Sequence, residues 1–179
     1  MSAEPWQRAM MGGTRKAKVL ANANDALAVI KRSTKPLFVV GHKSVEGEEE
    51  RDKPINYIIR LSKASNIPVL ATAHTILEFN NRKFTPSGSM SAVDIANRLR
   101  DNTWLGLDGK SHYDLVSIMG LPYHMEWLLF AGLKHSARNL VRVSLDRFYQ
   151  PHATWSFPNI SLKMWQETLD AMISQLEGE

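Results

Sequence analysis

Short apolar runs that end abruptly in polar residues recur along this chain. Four of them, at residues 37–40, 67–71, 115–119 and 140–144, are rich in valine, leucine and isoleucine. Continuous apolar runs of this length are typical of strands that are buried on both faces, the pattern of a parallel sheet. The first run stops at Gly41, where a glycine frees the backbone at the carboxyl end of the strand.

Helical spacing appears between these runs, where apolar residues recur every three or four positions. Residues suited to helix caps precede three of the predicted helices: Asn22 or Asn24, Asp52 and Ser91. The last helix is expected over about residues 160–176. Strands that alternate with helices predict an α/β fold, a sandwich with a parallel sheet and right-handed crossovers.

A single domain is expected to take in residues 1–179, with residues 1–20 as an N-terminal arm. Trp6 and the adjacent Met10 and Met11 are apolar in this otherwise polar stretch. These apolar side chains are expected to pack against another surface. That surface can belong to another subunit or to the chain itself, and both interpretations stay open.

A basic cluster lies near the end of the arm, at Arg15, Lys16 and Lys18. One interpretation is a contact with an acidic partner. The other, which is the more common for charged runs, is a solvated surface. Elsewhere the basic residues are scattered and no known nucleic-acid-binding module is recognisable, so no nucleic-acid partner is predicted.

The composition, 44% hydrophobic and 22% charged, is that of an ordinary globular protein. No apolar stretch is long enough to span a bilayer and no secretory signal is recognisable, so a cytoplasmic location without a membrane partner is expected. The chain has no cysteine, which excludes disulfides, thiolate catalysis and cysteine-ligated iron–sulfur clusters within it. No metal site is predicted.

Residues 125–133 are apolar almost all round, so the helix expected there should be buried on more than one side. With Trp104, Trp127 and Trp155 it offers more apolar surface than a small sheet needs. A homo-oligomer, most simply a homodimer, would cover this surface; the alternative is a thick core. Residues 77–88 are predicted to be irregular.

Small and polar residues follow the predicted strands, whose carboxyl ends meet at one edge of a parallel sheet. A pyrophosphate binds at such an edge through backbone donors and helix N-termini. The sequence therefore predicts a nucleotide-type site, with Asp146 placed to accept a hydrogen bond from a ribose hydroxyl. The candidate binding residues are Gly41, His42, Lys43, Thr72, Ala73, His74, Gly120, Leu121, Pro122 and Asp146.

The alternative for Gly41 and Gly120 is that they only allow tight turns between strand and helix. No Gly-x-Gly-x-x-Gly pattern is present. His42 and His74 have no carboxylate at a fixed helical spacing, so solvent-facing histidines are the simpler interpretation, and no catalytic residue is predicted. A nucleotide-binding type of scaffold without convincing catalytic machinery favours a binding or accessory subunit over a free-standing enzyme.

Residues 35–41, 67–72 and 114–120 together resemble the central domain of thiamine-diphosphate enzymes. That domain has a Rossmann-like fold, a three-layer sandwich with six parallel strands. It is shared with deoxyhypusine synthase, and some members hold FAD across it. The resemblance implies about six strands here, in a deoxyhypusine synthase-like NAD/FAD-binding domain.

A second resemblance covers the whole chain and is carried by three stretches: residues 34–41 (Thr-Lys-Pro-Leu-Phe-Val-Val-Gly), 118–123 (Ile-Met-Gly-Leu-Pro-Tyr) and 149–159. With these stretches the chain resembles the epsilon subunit of the archaeal acetyl-CoA decarbonylase/synthase complex. In that family, epsilon joins the large alpha subunit in the carbon monoxide dehydrogenase component, as an alpha2-epsilon2 heterotetramer. The metal clusters that interconvert CO and CO2 belong to alpha.

The resemblance implies an accessory subunit that stabilises alpha and assists electron transfer to FAD, the candidate cofactor. Carried over to this chain, it places the pyrophosphate contacts at Gly41, His42, Thr72 and Gly120, with Asp146 near the adenosine. Two other functions stay open. One is a free-standing FAD- or NAD-binding electron-transfer module; the other is a small transferase or hydrolase that uses strand-end histidines on a nucleotide-like substrate.

Overall fold

The computed structural model of the protein describes residues 4–47, 49–50, 53–72 and 75–178. Within them, seven parallel strands form one sheet in the order β1-β7-β6-β5-β2-β3-β4. The strands are β1 (Lys18–Val19), β2 (Pro36–Val40), β3 (Val69–Ala71), β4 (Gly88–Ser89), β5 (Leu115–Met119), β6 (Val141–Ser144) and β7 (Trp155–Ser156).

The described residues also form six α-helices and two short 3-10 helices, the latter at Pro5–Arg8 and His42–Val45. None of these helices is long and apolar enough to cross a membrane. The α-helices are α1 (Ala23–Lys31), α2 (Pro54–Ser65), α3 (Ile76–Asn81), α4 (Ala92–Arg100), α5 (Tyr123–Ser136) and α6 (Leu162–Glu177).

The direction in which the sheet grows reverses between β2 and β5, which lie side by side. From β2 the chain proceeds outward through β3 and β4, then returns to β5 and proceeds the other way through β6 and β7. In open sheets of this kind a crevice opens at the carboxyl ends of the strands beside the reversal. The predicted α/β sandwich with a parallel sheet is confirmed, with seven strands where about six were expected.

The side chains of β2 point alternately into two apolar layers, as a strand buried on both faces requires. Phe38 and Val40 pack with residues of α1, α2 and α6. Leu37 and Val39 pack with residues of α4 and α5 on the opposite face. The sheet is therefore the middle layer of the three-layer sandwich.

The last residues of the predicted N-terminal arm form β1, which pairs with β7 at the edge of the sheet. A two-residue strand carries too short a pattern to be recognised from sequence. The rest of the arm lies on the chain's own surface through its backbone. Met10 N–H donates to the Tyr123 hydroxyl (3.2 Å), and Trp127 Nε1–H donates to the Met11 carbonyl (3.1 Å).

Two predictions need correction. Residues 77–88 are not irregular throughout, because α3 occupies Ile76–Asn81 and is anchored by the fully buried Phe79. The helix expected to be capped by Asp52 has Lys53 as its N-cap residue, with no side-chain cap. Asp52 itself lies outside the described residues.

Helix α5 is covered on two of its sides. Its sheet side buries Leu129, Phe130 and Leu133, and the arm lies along a second side. Leu128, on a third side, is 58% exposed. Glu126 occupies the buried side with the apolar residues, and this carboxyl group lies next to the crevice.

Candidate functional site

A cavity of about 470 Å³ opens at the carboxyl edge of the sheet, beside the ends of β2, β5 and β6. Four of the predicted site residues line it: Lys43, Gly120, Leu121 and Asp146. They come from three separate loops, which the parallel sheet brings to one edge. The cavity is therefore the candidate functional site.

Other predicted residues do not line this cavity. His42 is exposed, Pro122 is the N-cap residue of α5, and Thr72 follows β3 on the far side of β2. Ala73 and His74 lie outside the described residues. Their place in a nucleotide site, like that of the other candidates, stays a prediction.

Gly41 and Gly120 pack directly against each other at the foot of the cavity. A Cβ atom on Gly41 would overlap the Gly120 carbonyl oxygen. Gly120 has a φ of +76°, and a Cβ there would lie 2.6 Å from the Ser44 nitrogen. Gly41 has no space for a side chain, and Gly120 has neither the space nor a conformation that other residues readily adopt, so the packing of the two turns accounts for these glycines without a ligand.

Three backbone donors around these glycines already have acceptors within the chain. Gly41 N–H donates to the Met119 carbonyl (2.9 Å), and Lys43 N–H donates to the Gly120 carbonyl (2.8 Å). Gly120 N–H donates to both carboxylate oxygens of Asp146, each at 3.0 Å. A dinucleotide pyrophosphate needs such donors free. In this conformation these three N–H groups are not free to bind the pyrophosphate of FAD.

Two carboxyl groups meet at the inner wall of the cavity. Glu126, from α5, is fully buried, and its carboxyl group lies within hydrogen-bonding reach of Asp146. Gln150 Nε2–H donates to Glu126 Oε2 (3.0 Å) and to the Tyr123 carbonyl (3.0 Å). A carboxylate facing another carboxylate has only acceptors to offer, so a proton between them satisfies both.

This carboxyl pair holds a proton near neutral pH. Burial raises the pKa of Glu126 well above its ordinary value, and the charge of Asp146 raises it further. Burial also raises the pKa of Asp146 to about 7, although the hydrogen bond from Gly120 opposes the shift. Because the two groups interact strongly, the proton belongs to the pair rather than to one residue.

The remaining walls of the cavity are largely apolar. Leu121, Phe148, Leu162 and Trp165 line it, and the Trp165 indole N–H donates to the Leu145 carbonyl (2.7 Å). The arrangement can hold a flat or apolar group against the aromatic side chains, with Asp146, Lys43 and Arg147 among its polar contacts. Within the described part of the chain, no three metal-ligating side chains cluster together.

Four residues in or next to the cavity were not predicted from the sequence to belong to the site: Glu126, Tyr123, Gln150 and Trp165. One signal was available for Glu126, because a single carboxylate interrupts an otherwise apolar helix. A charged residue in a buried helix is rarely unpaired. Its partner could not be identified from the sequence, since Asp146 and Gln150 lie in a later loop.

The fold and this edge define a class: a doubly wound α/β protein with a crevice at its sheet reversal and a buried carboxyl pair beside that crevice. A family model described as CO dehydrogenase beta subunit/acetyl-CoA synthase epsilon subunit matches residues 1–173. The chain belongs to this family, and the resemblance of its sequence to the epsilon subunit is confirmed.

Several relatives carry the same subunit name. The acetyl-CoA decarbonylase/synthase complex subunit epsilon of Methanothermobacter thermautotrophicus is 28% identical over 171 residues, which cover 96% of this chain and 95% of that protein. Subunit epsilon 1 of Archaeoglobus fulgidus is 33% identical over 163 residues, covering 87% and 82%. Subunit epsilon 1 of Methanosarcina barkeri is 31% identical over 152 residues, covering 84% and 85%.

Proposed function

We propose that this protein is an accessory, non-catalytic subunit of an acetyl-CoA decarbonylase/synthase complex. It binds the larger, metal-bearing CO dehydrogenase subunit, in the alpha2-epsilon2 arrangement that the family resemblance implies, and stabilises it. The observation that carries the proposal is the match along almost the whole chain to proteins named as the epsilon subunit of that complex. Such a name describes association with other chains rather than a separate reaction.

The arm and α5 supply a surface suited to such an association. Met11 is 88% exposed and Met10 is 45% exposed, although the arm backbone is hydrogen-bonded to α5. Leu128, on the neighbouring side of the same helix, is 58% exposed. Large exposed apolar side chains on the arm and on the neighbouring helix favour a protein contact. We call these residues, Met10, Met11 and Leu128, the arm face.

Co-expression with the larger subunit tests the proposal. The two chains are expected to co-purify, and the larger subunit should show a higher unfolding temperature with this chain than without it, because a partner that binds only the folded form stabilises it. Carbon monoxide oxidation should reside in the larger subunit. Oxidation of CO by this chain alone, or failure of the two chains to associate, would contradict the proposal.

A second candidate is the electron-transfer role with FAD that the resemblance implies. The aromatic side chains of Phe148 and Trp165 in the cavity favour a flat ring, whereas the engaged backbone donors oppose a pyrophosphate. A comparison of free FAD with lumiflavin, which has the flavin ring but no phosphates, separates the contribution of the ring from that of the pyrophosphate. Titration of each against the purified chain, followed by flavin fluorescence, would show binding of both, of the ring alone, or of neither.

Phe148→Ala is the appropriate variant for this titration, because Phe148 is 46% exposed and its loss leaves the sheet edge intact. Leu77→Ala, on a distant exposed site, is the matched control. If wild type binds neither flavin, the electron-transfer role is wrong, and the accessory role is unaffected.

A further inference from the structure

A second cleft, of about 610 Å³, lies between the end of α5, the start of β6 and the last residues of the arm. Seven of its nine lining residues are basic, and none is acidic. Three of them form the basic cluster of the arm. From the sequence alone, a solvated surface is the more common interpretation of such a cluster. The lining residues are Arg15, Lys16, Lys18, Lys134, His135, Arg138, Arg142, Ala153 and Thr154.

The deepest cation of this basic cleft is held in place without a counter-ion. Arg142 is only 8% exposed; its Nε–H donates to the His152 carbonyl (3.4 Å) and its Nη1–H to the Leu140 carbonyl (2.8 Å). Among the described residues, no carboxylate lies within ion-pairing distance of it. A guanidinium that is fixed and partly desolvated but unpaired is ready to bind an anion.

The other cations are also held in place. Lys134 Nζ donates to the carbonyls of Gly12 (3.3 Å) and Arg15 (2.5 Å), which fastens the arm to α5. Lys18 Nζ lies 5.1 Å from the centre of the Trp155 ring. Burial, with repulsion from Arg142 and Arg15, lowers the pKa of Lys134. The cations thus repel one another, and an anion bound between them would relieve that repulsion.

This cleft accounts for the basic character of the whole chain. The sequence contains 22 lysines and arginines against 18 aspartates and glutamates. Without the six lysines and arginines of the cleft, 16 basic residues would face the same 18 acidic ones. Positive charge concentrated in a concave site focuses the electrostatic potential and attracts anions into it.

We propose that the basic cleft binds a phosphorylated small molecule of the di- or triphosphate class through its phosphoryl oxygens. The volume lies within the range of small-ligand sites, about 300–1,000 Å³. Arg142 offers a guanidinium at the base, and Arg15 and Arg138 are exposed at the rim. The planar guanidinium matches phosphate oxygens in pairs. The concave shape favours this ligand over an acidic protein surface.

Titration calorimetry with inorganic pyrophosphate, in a buffer free of divalent cations and phosphate, tests the proposal. Wild type is expected to bind one pyrophosphate saturably. Arg15→Gln combined with Arg138→Gln should weaken binding at least tenfold, because the variant removes two exposed guanidinium groups from the rim and leaves the buried Arg142 in place. Binding should also weaken as sodium chloride is raised, since the contacts are ionic.

Two controls locate the site. Lys63→Gln combined with Arg100→Gln removes the same charge from exposed positions elsewhere and should change the dissociation constant less than twofold. Lys43→Gln removes a cation from the carboxyl-edge cavity and should likewise have little effect. The absence of saturable binding in wild type, or equal weakening by either control, would overturn the proposal.

A decameric polyglutamate peptide is the competing ligand. If it binds wild type more tightly than pyrophosphate does, and the rim variant abolishes that binding, the cleft is a docking surface for an acidic protein and the small-molecule proposal is wrong. Because this titration uses the isolated chain, its result is separate from the test of association with the larger subunit.

Discussion

Packing alone restricts which residues can occupy several positions at the carboxyl edge of the sheet. Gly120 combines a left-handed backbone conformation with a close approach to Ser44, and its N–H holds the Asp146 carboxylate. A Cβ atom on Gly41 would in turn overlap the Gly120 carbonyl oxygen. The turns after β2 and β5 therefore pack closely together, and the second of them holds the Asp146 carboxylate.

Gly120→Ala is expected to lower the free energy of unfolding by about 2–4 kcal/mol, from the left-handed conformation and the 2.6 Å approach of the new Cβ to Ser44. Urea denaturation followed by circular dichroism measures the change. Gly132→Ala is the matched control, because Gly132 lies in α5 and open space surrounds the position that a Cβ would take. That substitution should raise the free energy of unfolding by about 0.5–1 kcal/mol, because alanine favours a helix.

The carboxyl pair predicts a particular dependence of stability on pH. Both pKa values are raised in the folded chain, that of Asp146 to about 7, so the folded form binds more protons than the unfolded form above about pH 4. The free energy of unfolding contributed by the pair is therefore largest in acid and falls as the pH rises towards 7, at up to about 1.4 kcal/mol per pH unit for each proton.

Glu126→Gln is expected to flatten this dependence, because glutamine does not ionise and can still occupy the buried position. Thermal unfolding between pH 5 and pH 8 measures the slope. Glu167→Gln, at an exposed position on α6, is the matched control and should leave the slope as in wild type. A Glu126→Gln slope equal to that of wild type would show that Glu126 does not hold the proton.

At the scale of elements, the helix ends agree with the local signals in the sequence. Asn22 caps α1, Ser91 caps α4 and Ser161 caps α6, each by accepting a hydrogen bond from the third backbone N–H along. Predicted strands of about five residues were also placed correctly. The three two-residue strands and α3 were missed, because neighbouring strands and apolar packing stabilise them rather than their own sequence.

Ser91→Ala is expected to lower the free energy of unfolding by about 0.5–2 kcal/mol, because the Asp94 N–H loses its acceptor. The unfolding temperature should fall by about 2–4 °C for each kcal/mol in a chain of this size. Ser91→Asn is the control, since asparagine is an equally good cap and adds no second carboxylate beside Asp94. Equal losses in the two variants would show that another feature of Ser91 stabilises α4.

At the scale of the whole molecule, the two faces of the arm have different roles. Its backbone forms the edge strand β1 and lies along α5, while the side chains of Met10 and Met11 are exposed. Sequence alone left open whether the arm docks on its own chain or on another. The structure places it on its own chain and leaves apolar side chains available for a second contact.

Met11→Glu combined with Leu128→Glu should weaken association with the larger subunit at least tenfold, because a partner surface would have to desolvate two new carboxylates. Pull-down with the co-expressed larger subunit measures the loss, and size-exclusion chromatography of the isolated chain shows whether the same face forms a homodimer. Leu77→Glu, 72% exposed on α3, is the matched control. An association unchanged by the double variant would exclude the arm face.

The sequence by itself determined the fold class, the long strands, the capped helices and the family. These features depend on residues close together in the chain or on the identity of whole stretches. Only the tertiary structure revealed the Glu126–Asp146 pair and the basic cleft, in which Arg15 and Arg142 come together. Hydrophobic period and local charge carry no information on which distant segments meet, and burial changes the chemistry of the groups that do.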